Sequence, residues 1–289
     1  MLSLHNTTSA EISKLTTHRY STSFTLGIKA FPKAIRNHIY AIYAFSRYTD
    51  EIVDTFLDLS IEERRTLLND YRKSTYQAIQ FKVSPYPVLH SFQQTVNQFE
   101  ISKDLIEAFF KSMEMDLENG EHSGTTYDEY IYGSAEVIGL MCLKVFVNGD
   151  QKEFDNLKAP ARKLGAAFQK VNFLRDMKSD FEDRGRVYFP DVQFTSFDQH
   201  SKKLIEQDIR HDFEEAYEGI LKLPKDVRKG VYLAYKYYLA LFHKLCNATP
   251  EALQQKRIRI PNARKLLILI SILLIPKLKA PSINGLDQA

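Results

Sequence analysis

Two stripes of polar side chains, set at helical spacing inside otherwise apolar segments, constrain this chain more than any other feature. In Tyr43-Ala-Phe-Ser-Arg47-Tyr-Thr-Asp50-Glu-Ile-Val-Asp54, the residues Tyr43, Arg47, Asp50 and Asp54 recur at steps of four, three and four. In Gln169-Lys-Val-Asn172-Phe-Leu-Arg175-Asp176-Met-Lys-Ser-Asp180, the residues Gln169, Asn172, Asp176 and Asp180 recur at steps of three, four and four. Each set falls on one face of a helix, so both segments are predicted to be helical.

Carboxylates at i and i+4 repel one another by about 0.2–0.5 kcal/mol on a helix, so these stripes ask for a cation. Mg²⁺ takes oxygen ligands, commonly one or two carboxylates with waters and substrate phosphates. Two such stripes facing each other could clamp a diphosphate through bridging metal. Either pair alone reads as a solvated acidic face, and Asp54 with Asp58 forms another pair at the same spacing; it is the two together, each preceded by uncharged hydrogen-bonding residues, that leave a metal–diphosphate site equally open. Arg47, Arg175, Arg184 and Arg186 lie beside the acids, where guanidinium groups bind phosphate oxygens in a fork or bridge to the same aspartates.

The rest of the chain reads as helix. Pro32, Pro85, Pro87, Pro160, Pro190, Pro224, Pro250 and Pro261 punctuate stretches with helical periodicity, and few windows alternate as half-buried strands do. Long helices with apolar faces are predicted over 36–56, 104–119, 127–148, 161–180 and 225–246. Ser60 with Glu63, and Thr126 with Glu129, have the spacing of capping boxes. The charged segment 182–186, built around Gly185, is predicted to leave the helix as a mobile loop able to cover a bound anion. At 289 residues, with 44% hydrophobic content, the expectation is one all-α domain over 1–289, closed around a cavity, with a short flexible N-terminus (1–10) and a C-terminal tail (277–289).

Several functional classes are disfavoured. A net charge of +3 from dispersed basic residues does not call for nucleic acid. Cys142 and Cys246 are isolated, unlike a disulfide scaffold or a zinc site, and suit a reducing cytoplasm. The first ten residues lack the basic start and apolar stretch of a secretory signal. The longest apolar run, 266–275, is about half the ~20 residues needed to span a bilayer. It is read either as a buried final helix or as a peripheral contact with a bilayer surface, flanked by Arg264, Lys265, Lys277 and Lys279.

Taken together, these residues resemble the squalene and phytoene synthase family, over five blocks from Tyr20 to about Leu267. Tyr20-Ser-Thr-Ser-Phe24 resembles an early flap motif, with Tyr20 where a histidine is common, so only Ser21 and Ser23 carry over as diphosphate-binding hydroxyls. The segment from Ala41 through Asp54 is similar to the first aspartate-rich motif. Met113-Glu-Met-Asp116-Leu and Tyr130 to Gly139 resemble helices that wall a prenyl tunnel, although Glu136 departs from the usual small residue. The segment from Leu164 to Pro190 matches best, through Gln169, Asn172, Arg175, Asp176, Asp180, Gly185, Arg186 and Tyr188, with Lys170-Val171 replacing the common Leu-Thr. Tyr238 and Arg257 belong to a fifth, more variable block.

The resemblance implies the isoprenoid synthase type of helical bundle and head-to-head condensation of two prenyl diphosphates through a cyclopropylcarbinyl diphosphate. Its implied metal set is Asp50, Asp54, Asn172, Asp176 and Asp180, holding Mg²⁺ or alternatively Mn²⁺. Tyr43 and Tyr238 are implied as cation-stabilising or proton-accepting groups, a role that released diphosphate could equally fill. Ser21, Ser23, Arg47, Gln169, Arg175, Arg186, Tyr188 and Arg257 are implied in substrate binding. The motif wording points first to two geranylgeranyl diphosphates and phytoene. The alternatives are a squalene or dehydrosqualene synthase using farnesyl diphosphate, where NADPH would enter, and a silent relative that binds lipid or assists assembly. Oligomeric state, monomer or dimer, stays open.

Overall fold

The computed structural model describes residues 2–118, 124–184, 186, 188–190, 192 and 194–274, and among these there is helix but no strand. The first helix, α1 (Leu2–Tyr20), is followed by α2 (Thr22–Lys29) and α3 (Lys33–Asp54). Residues 2–10, expected to be a flexible lead-in, belong to α1. Its small buried residues Ser9, Ser13, Thr16 and Thr17 let it lie close against α3 and α5, and Asn6 bonds the His90 ring. Ser21 caps α2 by accepting a hydrogen bond from the Phe24 amide at 3.2 Å.

The helices α4 (Ile61–Phe81), α5 (Pro87–Phe99) and α6 (Lys103–Leu117) complete the first half. The predicted Ser60–Glu63 capping box is present in full at the start of α4. Phe45 of α3 stacks flat on Phe92 of α5 at 3.8 Å, and both rings are fully buried in the aromatic part of the core.

The helix expected over 127–148 is interrupted. It comprises α7 (Gly124–Ile131), a π-helical turn (Tyr132–Glu136) and α8 (Val137–Phe146). Because α7 begins at Gly124, Thr126 lies inside the helix and does not cap it. The extra residue of the wide turn is accommodated because Gly133 sits against the Ala108 carbonyl and Ser112, where no side chain fits.

The longest helix, α9 (Gln151–Arg184), contains Pro160, which had been expected to mark a boundary. An internal proline removes one backbone hydrogen bond and crowds the preceding turn. Here its ring packs on Gly219, where a methyl group would overlap it, so tertiary contact with α10 (Gln199–Lys222) holds the helix together. The α9 helix also runs through 182–184, part of the segment expected to be a loop. Gly185 and the Arg184 side chain lie outside the described residues.

The last helices are α11 (Lys225–Cys246), α12 (Pro250–Gln255) and α13 (Asn262–Leu274). The α13 helix is buried on one side only, through Ile272 with Ile268 and Leu269. Ile275, Lys277, Lys279 and the predicted tail lie outside the described residues, and no helix among the described residues is long and apolar enough to cross a membrane. Between α2, α3, α8, α9, α10 and α11 lies a cavity of about 310 Å³.

Candidate active site

Asp50, Ser46, Tyr43, Ile42 and Ile39 of α3 line the cavity in order along one face. On α9 the lining runs from Asn172 and Gln169 through Gly165 to Ala161 and Leu157. Both polar stripes therefore reach the same end of the cavity, while Phe31 and Phe146, 5.0 Å apart, flank the other. At 1.5 Å per residue, the lined stretch of α9 from Leu157 to Asn172 is about 22 Å long.

The four predicted aspartates occupy different environments. Asp50 faces the cavity and meets Arg47 only loosely, at 4.0 Å. Withdrawal from bulk water pushes its pKa up to about 8, with Asp54 and Asp116 adding to the rise and Arg47 opposing it. Asp54 instead accepts from Arg186 Nη1 at 2.9 Å. Asp176 is held by two forks: Arg175 donates at 3.0 and 2.5 Å, and Arg257 at 2.6 and 3.1 Å. Asp180 is buried beside a smaller pocket with Phe173, Arg186 and Tyr188, and does not line the main cavity.

Arg186 joins these regions. Its guanidinium reaches Asp54, the Asp116 carboxylate at 3.2 Å and the Asp116 carbonyl at 2.7 Å, and it also donates to the Tyr188 hydroxyl at 3.3 Å. Burial opposes its charge, but Asp116, Tyr188 and Asp54 together outweigh that cost and favour the charged form. Asp116, only 5% exposed, also accepts from the Tyr130 hydroxyl at 3.0 Å. Asp116 had been placed only in a tunnel-wall block. The signal for a larger role was a carboxylate at a position that the helical pattern of α6 assigns to the core.

Several uncharged groups converge on the polar end. Tyr238 stacks on Phe168 at 3.8 Å, with Asn172 and Arg175 approaching its phenol, and burial raises its pKa. Burial likewise pushes Tyr43 up to about 12, so both phenols hold their protons at neutral pH. Ser23 and Gln169 line the cavity, whereas Ser21 serves chiefly as the α2 cap. Arg47 is drawn to Glu51 and lies over the Tyr20 ring at 4.4 Å. Ser134 Oγ, Asn172 Oδ1 and Tyr237 Oη belong to cavity-lining residues and are buried without a hydrogen bond. Ser134 and Tyr237 were not anticipated, and the π-helical turn that carries Ser134 had no local sequence signal.

The site has an acidic edge, with Asp50, Asp54 and Asp116, and a basic edge around Asp176. Burial lowers the pKa of Lys265, and Arg175 and Arg259 lower it further. Such crowding of cations is relieved by an anion. No group of three or more His, Cys, Asp or Glu side chains among the described residues forms a ready-made metal cage. The donor set nevertheless fits Mg²⁺, which is usually held by one or two carboxylates together with substrate phosphates. Asp50 and the unpaired Asn172 Oδ1 supply hard oxygen donors at one end of one cavity.

An all-α bundle with a deep apolar cavity and a mouth charged in this way suits an amphiphilic ligand with an oily tail and an anionic head. The profile of the squalene/phytoene synthase family matches residues 17–264, and the chain belongs to that family of prenyl-transferring enzymes. It is 26% identical to a presqualene diphosphate synthase of Rhodopseudomonas palustris, covering 88% of this chain and 93% of that one. It is 29% identical to a phytoene synthase of Arthrospira platensis, covering 90% and 91%. In structure it resembles a ligand-bound dehydrosqualene synthase, with TM-score 0.79, 20% identity, and coverage of 93% and 96%. A squalene synthase of Alicyclobacillus acidocaldarius gives TM-score 0.72 at 17% identity, covering 84% and 94%.

Proposed function

We propose that the enzyme condenses two geranylgeranyl diphosphates head to head, through a cyclopropylcarbinyl diphosphate, to phytoene. The observation that carries this reading is cavity length. An extended chain covers about 1.2 Å per bond, so a geranylgeranyl main chain needs about 18 Å and a farnesyl chain about 13 Å. The lined stretch of α9, about 22 Å, accepts the longer tail.

In this reading Asp50, Asn172, Asp54 and Asp180 would hold Mg²⁺, and Asp176 would join them once Arg175 and Arg257 turn to phosphate. Mg²⁺ supplies charge neutralisation of the departing diphosphate without proton transfer. Arg175, Arg257 and Lys265 bind phosphate oxygens, and Ser23, Arg47 and Gln169 orient the head group. Arg186 and Tyr188 fix Asp54 and Asp116 in place. The allylic carbon–oxygen bond breaks and the electron pair leaves with diphosphate. The double bond of the second substrate then attacks the cation, and loss of a proton closes the cyclopropane. A second ionisation, rearrangement and proton loss give the linear hydrocarbon. The Tyr43 and Tyr238 ring faces stabilise the cations, and the apolar walls exclude water.

A farnesyl-based reaction is the second reading, supported by the relative named presqualene diphosphate synthase. Purified protein is incubated with Mg²⁺ and either diphosphate, with and without NADPH, and the products are resolved by mass. A forty-carbon hydrocarbon formed without NADPH supports the first reading. A thirty-carbon product, or an accumulating thirty-carbon diphosphate, supports the second.

A further inference from the structure

We propose that the outer face of α13, together with the basic segment that leads into it, docks on the surface of an anionic lipid bilayer. Ile268, Leu269 and Ile272 turn inward, whereas Leu266, Leu267, Ile270 and Leu274 are 52%, 66%, 45% and 77% exposed. At 100° per residue these four occupy one arc of the helix, bounded by Asn262 on one side and by exposed Ser271 and Arg264 on the other. Lys256, Arg257, Arg259 and Arg264 are also exposed, and no acidic residue occurs from 252 to 274.

A helix of 13 residues is about 20 Å long, too short to span the ~30 Å hydrocarbon layer. Its exposed leucines can instead enter the headgroup boundary while the flanking cations meet anionic lipid. A second copy of the chain is a poorer occupant, because a two-fold contact sets the same basic segment against itself. Arg257 also grips Asp176 beside the cavity, so docking brings the polar mouth to the bilayer. On the proposed function, that gives oily substrate and product a short path that avoids water. The docking itself does not depend on that reading.

Full-chain protein is sedimented with phosphatidylcholine vesicles, with or without about one-third phosphatidylglycerol. The expected result is binding to the anionic vesicles that weakens as salt is added. Leu267→Ser with Ile270→Ser should lower the affinity at least about tenfold. Lys256→Gln with Arg264→Gln should lower it about fivefold for each charge removed. The leucine variant should still consume detergent-dispersed diphosphate at the wild-type rate, which separates docking from chemistry. If either variant melts early, the lipid and salt dependence of the wild-type chain decides alone. Protein left in the supernatant with both vesicles overturns the proposal. So does a dimer that Leu267→Ser with Ile270→Ser converts to monomer, which would assign the face to a second copy.

Discussion

Asp50 is the carboxylate on which charge balance at this site turns. With its pKa at about 8 against an ordinary value of 3.8, the folded, metal-free protein binds a proton there that the unfolded chain has lost at neutral pH. Stability of the metal-free enzyme therefore falls as pH rises from about 4 through about 8. Asp50→Asn removes that dependence, so the metal-free variant should melt above wild type at about pH 8.5 and close to it at about pH 5. The same variant should lose about a hundredfold or more in kcat. Mg²⁺ competes with the Asp50 proton, so its apparent affinity should rise with pH and level off above about 8, as read by metal titration of the melting temperature. Arg186 carries the opposite role. Arg186→Gln removes the cation beside Asp116, which is only 5% exposed, and should cost about 3 kcal/mol in urea denaturation.

At the scale of helices, close approach decides which glycines matter. A methyl group at Gly230 of α11 would overlap the Phe31 ring at the far end of the cavity. Gly230→Ala should destabilise by about 1–3 kcal/mol through overpacking. In Phe31→Ala the obstacle is gone, so adding Gly230→Ala should cost little more, a non-additivity that a double-mutant cycle of urea midpoints measures. Pro160 and Gly219 form a comparable pair between α9 and α10. The π-helical turn sets the register of α8 against α9, since Gly165 packs directly on the Ala135 carbonyl.

For the whole molecule the decisive dimension is the length of the cavity. Ala161 lies on α9 about 16 Å from Asn172, within reach of an extended geranylgeranyl tail and beyond a farnesyl one. Ala161→Phe should therefore lower kcat/KM for geranylgeranyl diphosphate at least about tenfold. Turnover of farnesyl diphosphate, where present, should stay within a few fold. Competing the two substrates in one reaction and resolving the products by mass checks this directly.

Helical periodicity and proline spacing identified α3, α6 and α11 to within a few residues, and the Ser60–Glu63 cap identified the start of α4, because those signals act over one or two turns. The same local rule placed Tyr43, Asp50, Gln169 and Asn172 on faces that converge at one end of the cavity. Contacts between distant segments decided the rest. Arg186 takes Asp54 across 132 residues, and Arg257 takes Asp176 across 81, leaving Asp50 as the acid open to the cavity. Pro160 stays inside a helix because Gly219, on another helix, leaves room for its ring. Ion pairing, close packing and the π-helical turn depend on what lies across the fold, so helix and stripe were written locally while the division of charge was settled by tertiary structure.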